Sequence, residues 1–412
     1  MKSSKEKTLL KNTFFLYLLQ ISNYVLNLLA FPYLTRVLGS EHYGIVIFAN
    51  SIMAYFTLFI EFGFLISGTN SVSLNFDDKK ALGKITCGII YAKFLLCIIG
   101  CVGLVFLTLF APKISEYKLY FYLSYIGVVL TIFLPDFLFR GLEIMSVLTY
   151  RVIISKLIYV VAVFFLVHEE KDFIFVPVAT IYSNIFAVIT TWIEIKRKKL
   201  IEAERVSLVE IFTYMKESST FFLSRAASSV YTTLNTVLLG FSFPDEYVGN
   251  YGAANTLSNA GRSFFSPIAD SLYPYMVKEK NLKLVRKIIL ILEPLIILGC
   301  VLLFIFAPFI IRVVCGKGYE QAVPFFRAML PLISITLPLY LCGYPVLAAL
   351  GRIKIANLSV IIGSAFHLAA LVALFFLKKL SGVTLALLTC ATESLILLIR
   401  LKVIFSEIRS AR

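Results

Sequence analysis

Four cations and five acids fall inside stretches that are otherwise apolar, and these are the residues whose type and position carry chemistry. The cations are Lys93, Lys156, Arg225 and Arg262; the acids are Glu61, Asp136, Asp270, Glu293 and Glu393. A charged side chain near the centre of a bilayer costs about 2.5–3.5 kcal/mol on insertion scales, so it faces a partner or a water-filled cavity. Two roles are open to the cations. Either Arg225 or Arg262 pairs with an acid such as Asp270 and holds helices together, or the cations line a cavity that receives an anion. Fixed Arg and Lys side chains are the groups that recognise phosphates. Arg225 and Arg262 fall near the midplane of adjacent predicted helices. Lys93 and Lys156 lie nearer the helix ends, where snorkelling to the interface competes with a role in a site. Glu61, Asp136, Asp270 and Glu393 are the candidates for binding a coupling proton or cation, each weighed against a structural role.

Other chemistries find no support. The three histidines (His42, His168 and His367) are scattered, and His367 reads as a neutral interhelical hydrogen bonder. Seven cysteines include no CxxC and no Cys/His cluster, so they read as apolar filling. There is no HExxH, GxSxG, Walker-A loop or DxD on a loop, and no loop long enough for a catalytic domain. The chain is therefore expected not to be an enzyme and to need no cofactor.

The elements that position these residues follow from composition. Of 412 residues, 59% are hydrophobic and 15% charged, where a soluble domain carries about a quarter charged. Repeated apolar runs of about 20 residues match a hydrocarbon core roughly 30 Å thick. The runs are continuously apolar rather than alternating, which selects helices over a barrel. The pattern predicts an all-α integral membrane protein with about twelve spans, at 9–34, 43–67, 85–110, 119–139, 146–167, 173–193, 220–241, 250–276, 288–311, 325–350, 355–377 and 383–403. The first run is too long for a cleavable signal and reads as an anchor. A charged stretch splits the spans six and six, giving a first lobe at 1–195, a cytoplasmic linker at 196–219 and a second lobe at 220–412. Prolines interrupt spans, among them Pro32, Pro135, Pro267, Pro294, Pro338 and Pro345, and breaks of this kind serve moving transporters as hinges.

The net charge of +15 does not indicate nucleic acid, because the basic residues sit in short loops between spans. With both termini in the cytoplasm, and basic residues near span ends counted with the adjoining loops, 26 of the 39 Lys and Arg fall on the cytoplasmic side, 9 on the other and 4 deep within helices. That bias sets the orientation. The chain also repeats itself faintly. Glu41-His42-Tyr43-Gly44 with Ala49-Asn50 returns as Glu246-Tyr247-Val248-Gly249 with Ala254-Asn255, Phe110-Ala111-Pro112 as Phe306-Ala307-Pro308, and Leu134-Pro135 as Leu337-Pro338. Together with the six-plus-six count, this order favours a duplicated transporter.

The opening Leu10-Lys11-Asn12-Thr13, then Pro32-Tyr33-Leu34-Thr35-Arg36-Val37-Leu38-Gly39 and Glu41-His42-Tyr43-Gly44, resembles the start of Wzx-type polysaccharide repeat-unit flippases. Glu61-Phe62-Gly63-Phe64 with Ser67-Gly68-Thr69 is similar to that family's end of helix two. Phe139-Arg140-Gly141-Leu142-Glu143 resembles its aromatic-Gln-Gly-Leu-Glu loop, with Arg140 in place of Gln. The resemblance implies a MATE-like fold of two six-helix lobes within the MOP superfamily, in a bacterial inner membrane. It implies a substrate too: an undecaprenyl-pyrophosphate-linked oligosaccharide, an O-antigen or capsule repeat unit, moved from the cytoplasmic to the periplasmic leaflet by alternating access. Membrane lipids, a polysaccharide polymerase and a chain-length regulator are the implied partners. In that reading Arg225 and Arg262 hold the pyrophosphate, with Lys93 and Lys156 assisting. The alternatives are a cation-coupled exporter of small organic molecules and a membrane glycan polymerase or transferase.

Overall fold

The computed structural model describes residues 2–202 and 204–410. All regular structure among them is helical. Nine stretches among the described residues are long and apolar enough to cross a membrane by length and composition. One of them, Leu28–Leu74, runs for 47 residues and contains a turn at Gly39, whose φ of 66° and ψ of 176° suit a residue without Cβ. The helices between Leu208 and Glu279 are not among the nine, being rich in Ser, Asn and Thr.

The chain packs as two compact units, Met1–Leu38 with Phe48–Ala226, and Gly39–Ile47 with Ala227–Arg412. The first holds most of α1 (Lys2–Glu61), α2 (Phe64–Leu74), α3 (Lys79–Phe110), α4 (Pro112–Glu116), α5 (Lys118–Leu130), α6 (Asp136–Gly141), α7 (Met145–Leu166), α8 (Phe175–Arg197) and most of α9 (Leu208–Thr232). The residues expected as a linker, 196–219, pack within this unit. Glu202 N–H donates to Lys79 O (3.0 Å), Lys84 Nζ meets Glu210 Oε1 (2.6 Å), and Ser218 Oγ lies 2.6 Å from Ser67 Oγ. The hydrogen bond from Lys84, joined by the Ser207 backbone N–H, holds the Glu210 carboxyl down at about 2. Gly83 and Gly88 let this segment approach α3, since a Cβ at either would meet Glu202 O or the Tyr214 ring.

The second unit holds α10 (Leu234–Ser242), α11 (Asp245–Ser263), α12 (Ser266–Glu279), α13 (Leu282–Cys315), α14 (Ala322–Leu341), α15 (Tyr344–Ala349), α16 (Ile353–Phe376) and α17 (Gly382–Ser410). Its core includes Met276, Val285, Leu337, Leu341, Val346, Leu347 and Ile404. α13 has a mean hydropathy of 3.0 in its most apolar window, none of which is buried inside the protein. One side of α13 packs on that core through Ile288, Ile289, Leu292 and Ile296, and its remaining apolar surface suits lipid.

The helix breaks fall where the sequence places strain or proline. Phe62 (φ 43°) and Gly63 (φ 82°) separate α1 from α2. Pro135 caps α6, while Pro267 and Pro345 occupy the first turns of α12 and α15, where a missing N–H costs nothing. Two of these breaks share one form. α6 and α15 are both six residues long and end in the same paired bonding. Ile144 N–H donates to Phe139 O (2.8 Å) and Glu143 N–H to Arg140 O (3.1 Å); Arg352 N–H donates to Leu347 O (2.7 Å) and Gly351 N–H to Ala348 O (3.0 Å). The left-handed residue that this cap requires is Glu143 (φ 56°) in one copy and Gly351 (φ 71°) in the other.

The repeated motif meets itself inside the second unit. A Cβ on Gly44 would sit 1.8 Å from Asp245 O, and a Cβ on Gly249 would sit 1.8 Å from Ser40 O. These are matching positions of the repeated Glu-x-x-Gly motif, so its two copies cross each other reciprocally, backbone against backbone.

Candidate functional site

The first unit joins two of the predicted residues directly. Lys93 on α3 is buried, and its Nζ lies 3.3 Å from Glu61 Oε2 at the end of α1. Asp136 opens α6, where a carboxylate is favoured by the helix dipole, and its Oδ1 lies 2.8 Å from Arg151 Nη1. Arg151 is buried and also donates to Thr191 Oγ1 on α8 (3.2 Å). Lys156 is half-buried on the same helix as Arg151, and Arg225 is exposed on α9. A cavity of about 190 Å³ in this unit is lined by uncharged polar groups, among them Asn50, Ser124, Thr180 and Asn184.

The second unit carries a buried ion pair. Arg262 lies in the last turn of α11, just before the Phe264-Phe265 break. Its Nη2 donates to Glu393 Oε1 on α17 (2.5 Å) and its Nε to Thr336 Oγ1 on α14 (2.9 Å), so one guanidinium ties three helices. Glu393 is 2% exposed, and its Oε2 is buried without a hydrogen-bond partner. Beside it runs an uncharged network. His367 Nε2 lies 3.0 Å from Asn235 Oδ1 and Nδ1 lies 2.9 Å from Thr392 Oγ1, while Asn235 Nδ2 donates to Thr389 Oγ1 (2.9 Å). Thr389 and Glu393 are one turn apart on α17, which explains why both project to the same side. Asp270, a further acid singled out in the sequence, lies on α12. It is exposed and lines a cavity of about 580 Å³.

Two buried arginines carry this architecture and were read from sequence as topology determinants. Arg151 and Arg400 both lie within predicted spans but near the ends expected to be cytoplasmic, where a basic residue reads as an interface anchor. Arg400 has a definite task at the break after α14. Gly343 N–H turns to Tyr340 O, which leaves Leu339 O free, and Arg400 Nη1 donates to it at 2.7 Å. Arg400 Nε reaches Ser359 Oγ (3.0 Å) and Nη2 reaches Ala356 O (3.4 Å).

Residues 9–280 match the polysaccharide biosynthesis protein family. A protein of Escherichia coli (strain K12) named for O-antigen transport is 30% identical over 336 residues, covering 80% of this chain and 81% of that protein. Among solved structures, a lipid II flippase MurJ in an inward closed conformation aligns with a TM-score of 0.70 at 14% identity, over 95% of this chain and 87% of that one. An inward-facing multidrug resistance MATE family transporter of the MOP superfamily aligns with a TM-score of 0.71 at 12% identity, over 94% and 96%. The fold is thus the all-helical, multi-pass fold shared by MurJ and MATE transporters. By sequence, the chain belongs to the polysaccharide biosynthesis protein family.

Proposed function

We propose that this chain is a flippase for an undecaprenyl-pyrophosphate-linked oligosaccharide, an O-antigen or capsule repeat unit, which it carries from the cytoplasmic to the periplasmic leaflet of the inner membrane by alternating access. The observation that carries the reading is the buried Arg262–Glu393 pair in a chain whose relative is named for O-antigen transport. A pyrophosphate at membrane depth needs a cation held ready, and Arg262 is held by one carboxylate oxygen and one threonine. The second oxygen of Glu393 is the seat for a coupling proton or cation. Loading it weakens the hold on Arg262 and frees the guanidinium for the phosphate. Arg225, Lys93 and Lys156 assist as further cations, and Glu61–Lys93 and Asp136–Arg151 serve as the matching pairs of the first unit.

Deleting the gene, in a strain without a second flippase, should leave lipid-linked repeat units complete but unreachable by a probe confined to the periplasm, with total lipid-linked glycan normal or raised. A polymerase would instead leave reachable single units, and a transferase truncated ones. A drug exporter would alter only compound sensitivity. Normal periplasmic exposure of the unit would overturn the reading.

Both termini lie in the cytoplasm in this scheme. In a chain stripped of its native cysteines, Lys198→Cys and Lys280→Cys should be shielded from an impermeant thiol reagent added outside, while Glu170→Cys should be labelled. Labelling at position 198 from outside would reverse the orientation.

A further inference from the structure

The second unit's 580 Å³ cavity is lined by neither Arg262 nor Glu393. We propose that it is a glycan subsite, holding an uncharged sugar ring of the carried oligosaccharide; this rests on the flippase reading above. Its size falls in the range of small-ligand sites, about 300–1,000 Å³. Four tyrosines line it, Tyr231, Tyr273, Tyr340 and Tyr344, and each presents an apolar face with a polar tip. A pyranose ring is their complement, with C–H faces that lie on aromatic rings and hydroxyls around its edge.

The charges decide between a sugar and a phosphate. Asp270 and Arg400 both line the cavity, so their formal charges cancel and an anion would face the Asp270 carboxylate. Arg400 is 6% exposed, and three of its N–H groups are committed to Ser359, Leu339 O and Ala356 O. A guanidinium has five N–H donors, so two remain for a ligand hydroxyl, in a group already locked in place. The Asp270 carboxylate stands on the wall of the same cavity. Tyr344 is fixed as well, its Oη lying 2.6 Å from Asn357 Oδ1. A guanidinium fork held by three bonds, beside a carboxylate and aromatic faces, forms a site that reads hydroxyl positions. Discrimination is large for such sites, because a ligand lacking the hydroxyl leaves donors of the buried Arg400 unpaired.

The test uses the full chain in nanodiscs and three probes: lipid-linked oligosaccharide extracted from the producing cells, the free glycan released from it by mild acid, and inorganic pyrophosphate. The released glycan should bind saturably and should not be displaced by pyrophosphate. Tyr340→Ala and the isosteric Asp270→Asn should each weaken its binding at least tenfold, whereas Tyr182→Ala on the exposed surface of the first unit should not. Displacement by pyrophosphate, wild-type glycan affinity in both cavity variants, or binding of the lipid-linked form alone would overturn the sugar site. The deletion experiment separates the two claims. Trapped units with variant-independent glycan binding would remove the subsite and keep the flippase. Normal exposure with cavity-dependent glycan binding would do the reverse.

Discussion

Replacing Arg262 with Ala should remove both transport and most of the folded protein, and adding Glu393→Gln should restore the protein but not the transport. Arg262→Ala takes away the partner of Glu393 Oε1 while Oε2 already has none, so a carboxylate that is 2% exposed is left uncompensated. Removing one member of a buried pair costs about 3–5 kcal/mol for this reason, a large share of the roughly 5–15 kcal/mol that holds a domain folded. Glu393→Gln in the same chain replaces the charge with an amide that bonds locally, so abundance returns. Transport does not return, because no cation remains to meet the pyrophosphate. Arg262→Lys keeps the charge without the fork and should retain part of the activity. The measurements are membrane abundance and periplasmic exposure of the glycan for the two single variants and the double. A double variant restored in both would make the pair structural glue and remove Arg262 from the site.

The sequence made some of this arrangement legible and hid the rest for identifiable reasons. Helix positions were readable because lipid imposes a long apolar run on every crossing, and the breaks at Pro135 and Pro345 were marked by proline. Lys93, Arg262, Glu61 and Glu393 stood out because a charge in such a run needs a partner. Which partner was not legible: Lys93–Glu61 and Arg262–Glu393 are 32 and 131 residues apart in the chain, and only the packing brings them together. Arg151 and Arg400 were hidden by their position near span ends, where charge is cheap and carries no warning. The matching caps at Glu143 and Gly351 were hidden because the constraint lies in a backbone angle, which Glu meets in one copy and Gly in the other. The Glu-x-x-Gly repeat was visible, but its purpose was not, since periodicity cannot say that two glycines 205 positions apart touch each other's helices.

That contact yields the second large effect. Gly249→Ala should destabilise the purified protein by about 1–3 kcal/mol or more, the cost of forcing a methyl group into a filled interface, and Gly44→Ala should do nearly the same. In each case the new Cβ would lie 1.8 Å from a carbonyl oxygen, of Ser40 or of Asp245, and backbone cannot move aside as the tip of a flexible side chain does. The two helices must separate, which also loosens the neighbouring contact of Gly252 with Ile47 and the bond from Tyr319 Oη to Gly39 O. Because both substitutions open the same crossing, the double variant should lose clearly less than the two single losses added together; residues in direct contact couple in this way. Gly299→Ala is the control, since nothing lies within 4 Å of its added Cβ on α13 and alanine favours a helix. Thermal unfolding in one detergent, followed for the three single variants and the double, measures all of this. Unchanged melting in both Gly44→Ala and Gly249→Ala, or strictly additive losses, would show that the two motif copies do not share one close crossing.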